Sequence, residues 1–104
     1  MAKRYKNERH LAWVREQGCS LVHNRDCFGT IEAHHLLRPW RGRRGMGRKA
    51  SDENLSPLCQ RHHIMLHKRG DEDAFFSEIC GNSDYGRDVA RQSWLRSPYY
   101  RSDE

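Results

Sequence analysis

Ile31-Glu32-Ala33-His34-His35-Leu36 is the stretch that decides the fold, answered downstream by Asn54-Leu55, by Cys59-Gln60-Arg61-His62-His63 and by His67. Thr30 to Leu37 alternate in part, which predicts a strand with Ile31, Ala33 and His35 on one face and Glu32 and His34 on the other. Adjacent strand residues point to opposite faces, so the two histidines are free to take different tasks. Ser56-Pro57 has the form of a helix opening, a capping hydroxyl followed by proline at the first helical position. The spacing predicts a helix over 57–69 closed by Gly70. On it His63 and His67 share one face a turn apart, while Cys59 and His62 form an i, i+3 pair on a neighbouring face.

Outward from this centre, Asn7 to Gln17 reads as a helix capped by Asn7, with Leu11 and Val14 on one face, Trp13 beside them and Gly18 at the stop. Asn54 to Ser56 is a short extended piece. Cys19 to Gly29 is a loop or knuckle carrying turn signals at Asn24, Asp26 and Gly29. Asp71 caps a short helix to about Cys80 that buries Phe75, Phe76 and Ile79. Gly81-Asn82 breaks it, and a further helix runs from Ser83 to about Arg96, with Tyr85, Val89 and Trp94 facing the core. Pro98 ends that helix, and 99–104 reads as a loose tail.

The chain has 104 residues, enough for one domain, with 36% hydrophobic and 32% charged residues. At this length only about 65% of the unfolded surface is buried, so the core is thin, and a thin core in a small domain calls for a metal or disulfide staple. Four cysteines and seven histidines offer the ligands. A net charge of +5 and a pI near 9.3 favour a polyanionic partner, though a solvated basic surface has the same composition. No apolar run reaches the roughly 18 residues of a membrane span, and no signal-peptide core follows the basic N-terminus. A cytoplasmic protein is expected, in which cysteines more often bind metal than form disulfides.

Phosphodiester hydrolysis needs a cation to stabilise charge on phosphate and leaving oxygen. It also needs a base that works near neutral pH, and a group that holds that base in one tautomer. His34, His63 and His67 can supply metal ligands, His35 the base and Asn54 its orienter. Ordinary surface or core histidines are the bland alternative.

At these residues the chain resembles the HNH, or ββα-metal, endonucleases. Ala33-His34-His35-Leu36, Asn54-Leu55 and Leu58-Cys59-Gln60-Arg61-His62-His63 stand where that family has an Asp-His or His-His pair on its first strand, an Asn-Leu before its second, and a Leu-Cys-x-x-Cys-His opening its helix. The resemblance implies that His34, His63 and His67 bind a divalent metal (Mg²⁺, Mn²⁺, Ni²⁺ or Zn²⁺), that His35 is the general base, and that Asn54 supports it. It covers roughly residues 19–76; the part over 43–76 also looks like small HNH-type proteins of bacteriophages and prophages. Cys-x-x-His replaces the commoner Cys-x-x-Cys, and the upstream cysteines are spaced Cys19-x7-Cys27.

Cys19, Cys27, Cys59 and His62 form a plausible four-ligand structural zinc site joining the knuckle to the helix. His23 can stand in for one cysteine, and free thiols at Cys19 and Cys27 are the alternative. Cys80 reads as an apolar cysteine on a buried helix face. Every charge over 38–51 is positive, and Arg38, Arg41, Arg43, Arg44, Arg48 and Lys49 can grip phosphates, with Trp40 stacking or packing; a solvated loop is the alternative.

The expectation is therefore an α+β chain forming one domain over 1–104. It has a ββα-metal (His-Me finger) core over about 19–76, an N-terminal helix, C-terminal helices over 71–96 and a tail over 97–104. The expected activity is metal-dependent cutting of DNA, as nicks, by a monomer located in a bacterial host if phage-encoded. The rival reading is a non-catalytic zinc module that binds nucleic acid in phage recombination or packaging machinery.

Overall fold

Two strands pair as an antiparallel sheet, β1 (Ile31–His35) and β2 (Leu55–Cys59), in the register Ile31 opposite Cys59 and His35 opposite Leu55. The computed structural model describes residues 5–24, 26–42 and 49–100. Among these, four helices surround the sheet: α1 (Glu8–Arg15), α2 (Gln60–Arg69), α3 (Glu72–Cys80) and α4 (Tyr85–Arg96). A short 3-10 turn, Val22–Asn24, lies in the knuckle. The fold is small α+β. None of these helices is long and apolar enough to cross a membrane.

The second strand corrects the sequence reading. Ser56-Pro57 does not open a helix; both residues lie in β2, all five residues of which are buried. Proline is tolerated there because of the edge it faces. The Pro57 carbonyl points away from β1 and accepts the Ser20 N–H at 2.9 Å, so the missing proline N–H would have pointed to that outer edge too. Pairing with β1 outweighs the local capping signal, and α2 starts three residues later. Its cap is Cys59, whose Sγ accepts the His62 N–H at 3.4 Å. The knuckle takes two more of the N–H groups a helix start leaves unpaired, with Gln60 N–H on Thr30 O (2.9 Å) and Arg61 N–H on Phe28 O (3.1 Å). That closeness requires Gly29, at φ +87°: a Cβ there would stand 2.6 Å from the Gln60 Cβ.

The other helices form near their expected bounds. Asn7 caps α1 by accepting the His10 N–H, Gly70 ends α2 in a left-handed conformation, and Asp71 caps α3 through the Ala74 N–H. In α1 the fully buried partner of Val14 is His10; Leu11 is only half-buried. Helix α4 begins at Tyr85, not Ser83. Phe75, Phe76 and Trp94 are buried, whereas Ile79, Cys80, Tyr85 and Val89 are half-buried.

The core has two parts. Cys19, Leu21, Leu58, Cys59, Leu66, Phe75 and Phe76 cluster where the knuckle, β2, α2 and α3 meet. Around Trp94, α4 packs on β2, and the rings of His10 (4.9 Å) and Tyr100 (5.5 Å) stand edge-on to the indole. Each large apolar side chain sealed in this way contributes about 1.5–3 kcal/mol. Ser97 to Tyr100 is consequently not loose: Ser97 is buried, and its Oγ meets His10 Nδ1 at 2.9 Å and accepts the Tyr99 N–H at 3.1 Å. Residues 101–104 of the expected tail lie outside the described residues.

Candidate metal centres

Two ligand clusters flank α2. In the first, Cys19 and Cys27 from the knuckle join Cys59 and His62 at the helix start, with all ligand atoms within 4.8 Å of one another. His62 Nδ1 lies 3.2, 3.6 and 3.7 Å from the Sγ atoms of Cys59, Cys19 and Cys27. A tetrahedron with Zn–S bonds of about 2.3 Å and a Zn–N bond of about 2.05 Å has S···N edges of roughly 3.6 Å, so these residues fit a metal such as zinc. All four are the predicted ones. Burial, opposed by Asp26 and aided by Arg61 and His23, lowers the His62 pKa and leaves the neutral, ligating imidazole. The thiols divide their protons unevenly. Burial, then hydrogen bonding with Cys19 and Cys59, pushes Cys27 up to about 12. Burial also pushes Cys59 up, but the N–H groups of His62 and Phe28 and the neighbouring thiols outweigh it and bring it down.

The second cluster is His34 from β1 with His63 and His67 from α2, again within 4.8 Å. His34 Nδ1 lies 3.1 Å from His63 Nε2, which lies 3.1 Å from His67 Nε2. Carboxylates occupy the far side of two rings: Glu72 Oε1 sits 2.7 Å from His34 Nε2, and Glu32 Oε1 sits 2.5 Å from His63 Nδ1. A carboxylate only accepts, so in the neutral form of each ring the proton lies on His34 Nε2 and His63 Nδ1. The lone pairs of His34 Nδ1 and His63 Nε2 then face each other, and a cation held between them would relieve that repulsion. The spacing approaches the roughly 3.3 Å edge of a tetrahedron with N–metal bonds of about 2.0–2.1 Å. Burial lowers the His34 pKa against the pull of Glu72, and burial with His63 lowers that of His67, so both favour the ligand form. His67 is exposed and gives this cluster an open side.

His35, on the opposite face of β1 as expected, has Asp52 Oδ1 2.8 Å from its Nε2. The expectation that Asn54 orients it is corrected by the bonds of that amide. Asn54 is fully buried; its Oδ1 accepts the N–H groups of Trp40 (2.8 Å) and Arg41 (3.2 Å), and its Nδ2 donates to Arg41 O (3.1 Å) and Ser51 Oγ (2.9 Å). Asn54 braces the loop, and Asp52 holds the histidine. Asp52, Glu32 and Glu72 are the site residues that sequence reasoning missed. Asp52 had a faint signal, an acidic residue just after an all-positive stretch; Glu72 is 38 positions from its histidine and had none.

Of the predicted phosphate grips, Arg38 reaches Asp73 at 3.6 Å, Arg41 pairs with Glu53 at 2.9 Å, and Lys49 is exposed. Arg43, Arg44 and Arg48 lie outside the described residues. Trp40 packs: its Nε1–H donates to Glu53 O at 2.8 Å.

The family described as "Protein of unknown function (DUF968)" matches residues 1–83, and the chain belongs to it. The chain is 37% identical over 67 residues to "Uncharacterized protein YdfU" of Escherichia coli (strain K12). That match covers 62% of this chain and 17% of the relative, so the chain corresponds to a small part of a longer protein. No solved structure matches.

Proposed function

We propose that this chain is a metal-dependent endonuclease of the HNH, ββα-metal type, acting on DNA. The observation that carries the reading is the convergence of His34, His63 and His67 beside a separately held His35. In this reading β1, β2 and α2 are the ββα-metal core, and the Cys19, Cys27, Cys59 and His62 cluster is its structural zinc site. A divalent cation held by the three histidines would stabilise charge on the scissile phosphate and the leaving oxygen. His35 takes the proton of the attacking water. Asp52, which faces Nε2 at 2.8 Å, steadies the imidazolium that forms. Asn54 keeps 40–41 and 51 in one loop shape, so that Arg41 bears on the phosphates. The +5 net charge supports a polyanionic substrate.

Nicking of supercoiled plasmid by wild type and His35→Ala, in Mg²⁺, Mn²⁺, Ni²⁺, Zn²⁺ and EDTA, tests this. Metal-dependent nicking that falls by about 10²–10⁴-fold in the variant is expected. If wild type fails to nick in any of these metals yet binds DNA in a salt-sensitive way, the chain is a non-catalytic zinc module.

A further inference from the structure

Glu72 is a buried carboxylate at the start of α3, 3% exposed, and its partners are His34 of β1 and the backbone of the loop that follows it. Oε1 faces His34 Nε2 at 2.7 Å and accepts the Leu37 N–H at 3.1 Å; Oε2 accepts the Arg38 N–H at 3.0 Å. His34 is itself only 1% exposed. The bonds lock the carboxylate at both oxygens, and that rigid acceptor permits one orientation of the imidazole.

We infer that Glu72 is a positioning residue of the histidine centre: it confines His34 to the Nε2–H tautomer, turns Nδ1 towards His63 and His67, and ties this ligand to the backbone that begins the arginine-bearing loop. A buried imidazole without such a partner exchanges between two tautomers, only one of which presents the correct lone pair. Removing an outer partner of this kind typically costs about 10–100-fold in metal affinity. The same carboxylate fixes 37–38, so the first turn of the phosphate-facing loop and the metal ligand move as one unit. Helix α3 thereby becomes part of the centre although it supplies none of the three converging nitrogens. The metal-affinity half of this inference rests on the metal-centre reading above; the tautomer half does not.

The test uses the full chain carrying one equivalent of zinc. Long-range ¹⁵N–¹H spectra should show His34 as the Nε2–H tautomer in wild type and as a mixture in Glu72→Ala. Titration with Ni²⁺ should give a site about 10–100-fold weaker in Glu72→Ala, with Glu72→Gln, which keeps an acceptor oxygen, in between. An Nδ1–H tautomer at His34 in wild type overturns the inference and needs no variant. So does Ni²⁺ affinity equal to wild type in folded Glu72→Ala, or in Glu72→Gln should the alanine variant fail to fold. Wild type that binds no Ni²⁺ overturns the metal-centre reading and with it the affinity half, while the tautomer still decides the role of Glu72.

Discussion

His35 Nε2 stands 2.8 Å from Asp52 Oδ1, and the other oxygen of Asp52 accepts the Asn7 N–H at 2.7 Å. The Asp52 N–H in turn donates to Tyr5 O at 3.0 Å, so the residue that holds His35 is tied to the segment leading into α1. An aspartate so placed can only accept, which fixes the ring tautomer. Asparagine at the same position can offer N–H groups to Nε2 and reverse it. Asp52→Asn should therefore lose at least about 100-fold in plasmid nicking. Its zinc content and its Ni²⁺ affinity should stay at wild-type values, because the histidine trio lies on the other face of β1. Equal cleavage by the variant would remove Asp52 from the mechanism.

Zinc held by Cys19, Cys27, Cys59 and His62 would tie the knuckle into the main core, where Cys19 and Cys59 are themselves buried members. Structural zinc binding is worth about 10–16 kcal/mol in small zinc modules, comparable with the roughly 5–15 kcal/mol stability of a whole domain. Strong chelation should abolish the cooperative thermal transition, as should Cys59→Ser. With Cys27 near 12 in the metal-free chain, its thiol carries a proton at neutral pH and must release it to bind. Calorimetry in buffers of different ionisation enthalpy should report that release, and affinity should fall as the pH is lowered.

His10 is fully buried, between the rings of Trp13 and Trp94, and burial lowers its pKa to about 4 in spite of Asp52. In the unfolded chain it titrates near 6.5. Above pH 6.5 both states are neutral and His10 adds no pH dependence. Between 6.5 and about 4 only the unfolded state takes up the proton, and stability falls by up to about 3 kcal/mol; below about 4 the effect levels off. Urea unfolding at pH 7, 5.5 and 4 should show a shallower acid slope in His10→Asn than in wild type. Parallel slopes would place the acid sensitivity elsewhere.

Gly86 lies where α4 meets α3, and a Cβ there would stand 2.5 Å from Phe76 Cε2. Phe76 is fully buried and its ring has nowhere to retreat. Gly86→Ala gains about 0.5–1 kcal/mol of helix preference but overpacks the contact, which typically costs about 1–3 kcal/mol. The expected outcome is a lower denaturation midpoint. A more stable variant would mean that the two helices separate easily.

Local geometry was legible in the sequence. Asn7, Gly70 and Asp71 punctuate their helices as their chemistry requires, because caps depend on residues three or four apart. The i, i+4 spacing of His63 and His67, the opposed faces of His34 and His35, and the ligand set Cys19, Cys27, Cys59 and His62 follow from periodicity and residue type. Tertiary structure decided the rest. Ser56-Pro57 carries a helix-start signal, yet the ladder with β1 makes it a buried strand, since the cap is worth about 1 kcal/mol and pairing together with burial is worth several times more. Which carboxylate stands behind which histidine was equally hidden. Asp52 at His35, Glu32 at His63 and Glu72 at His34 are set by how β1, α2 and α3 pack, over separations of 17, 31 and 38 residues. No local pattern encodes such contacts; they exist only once the chain has folded.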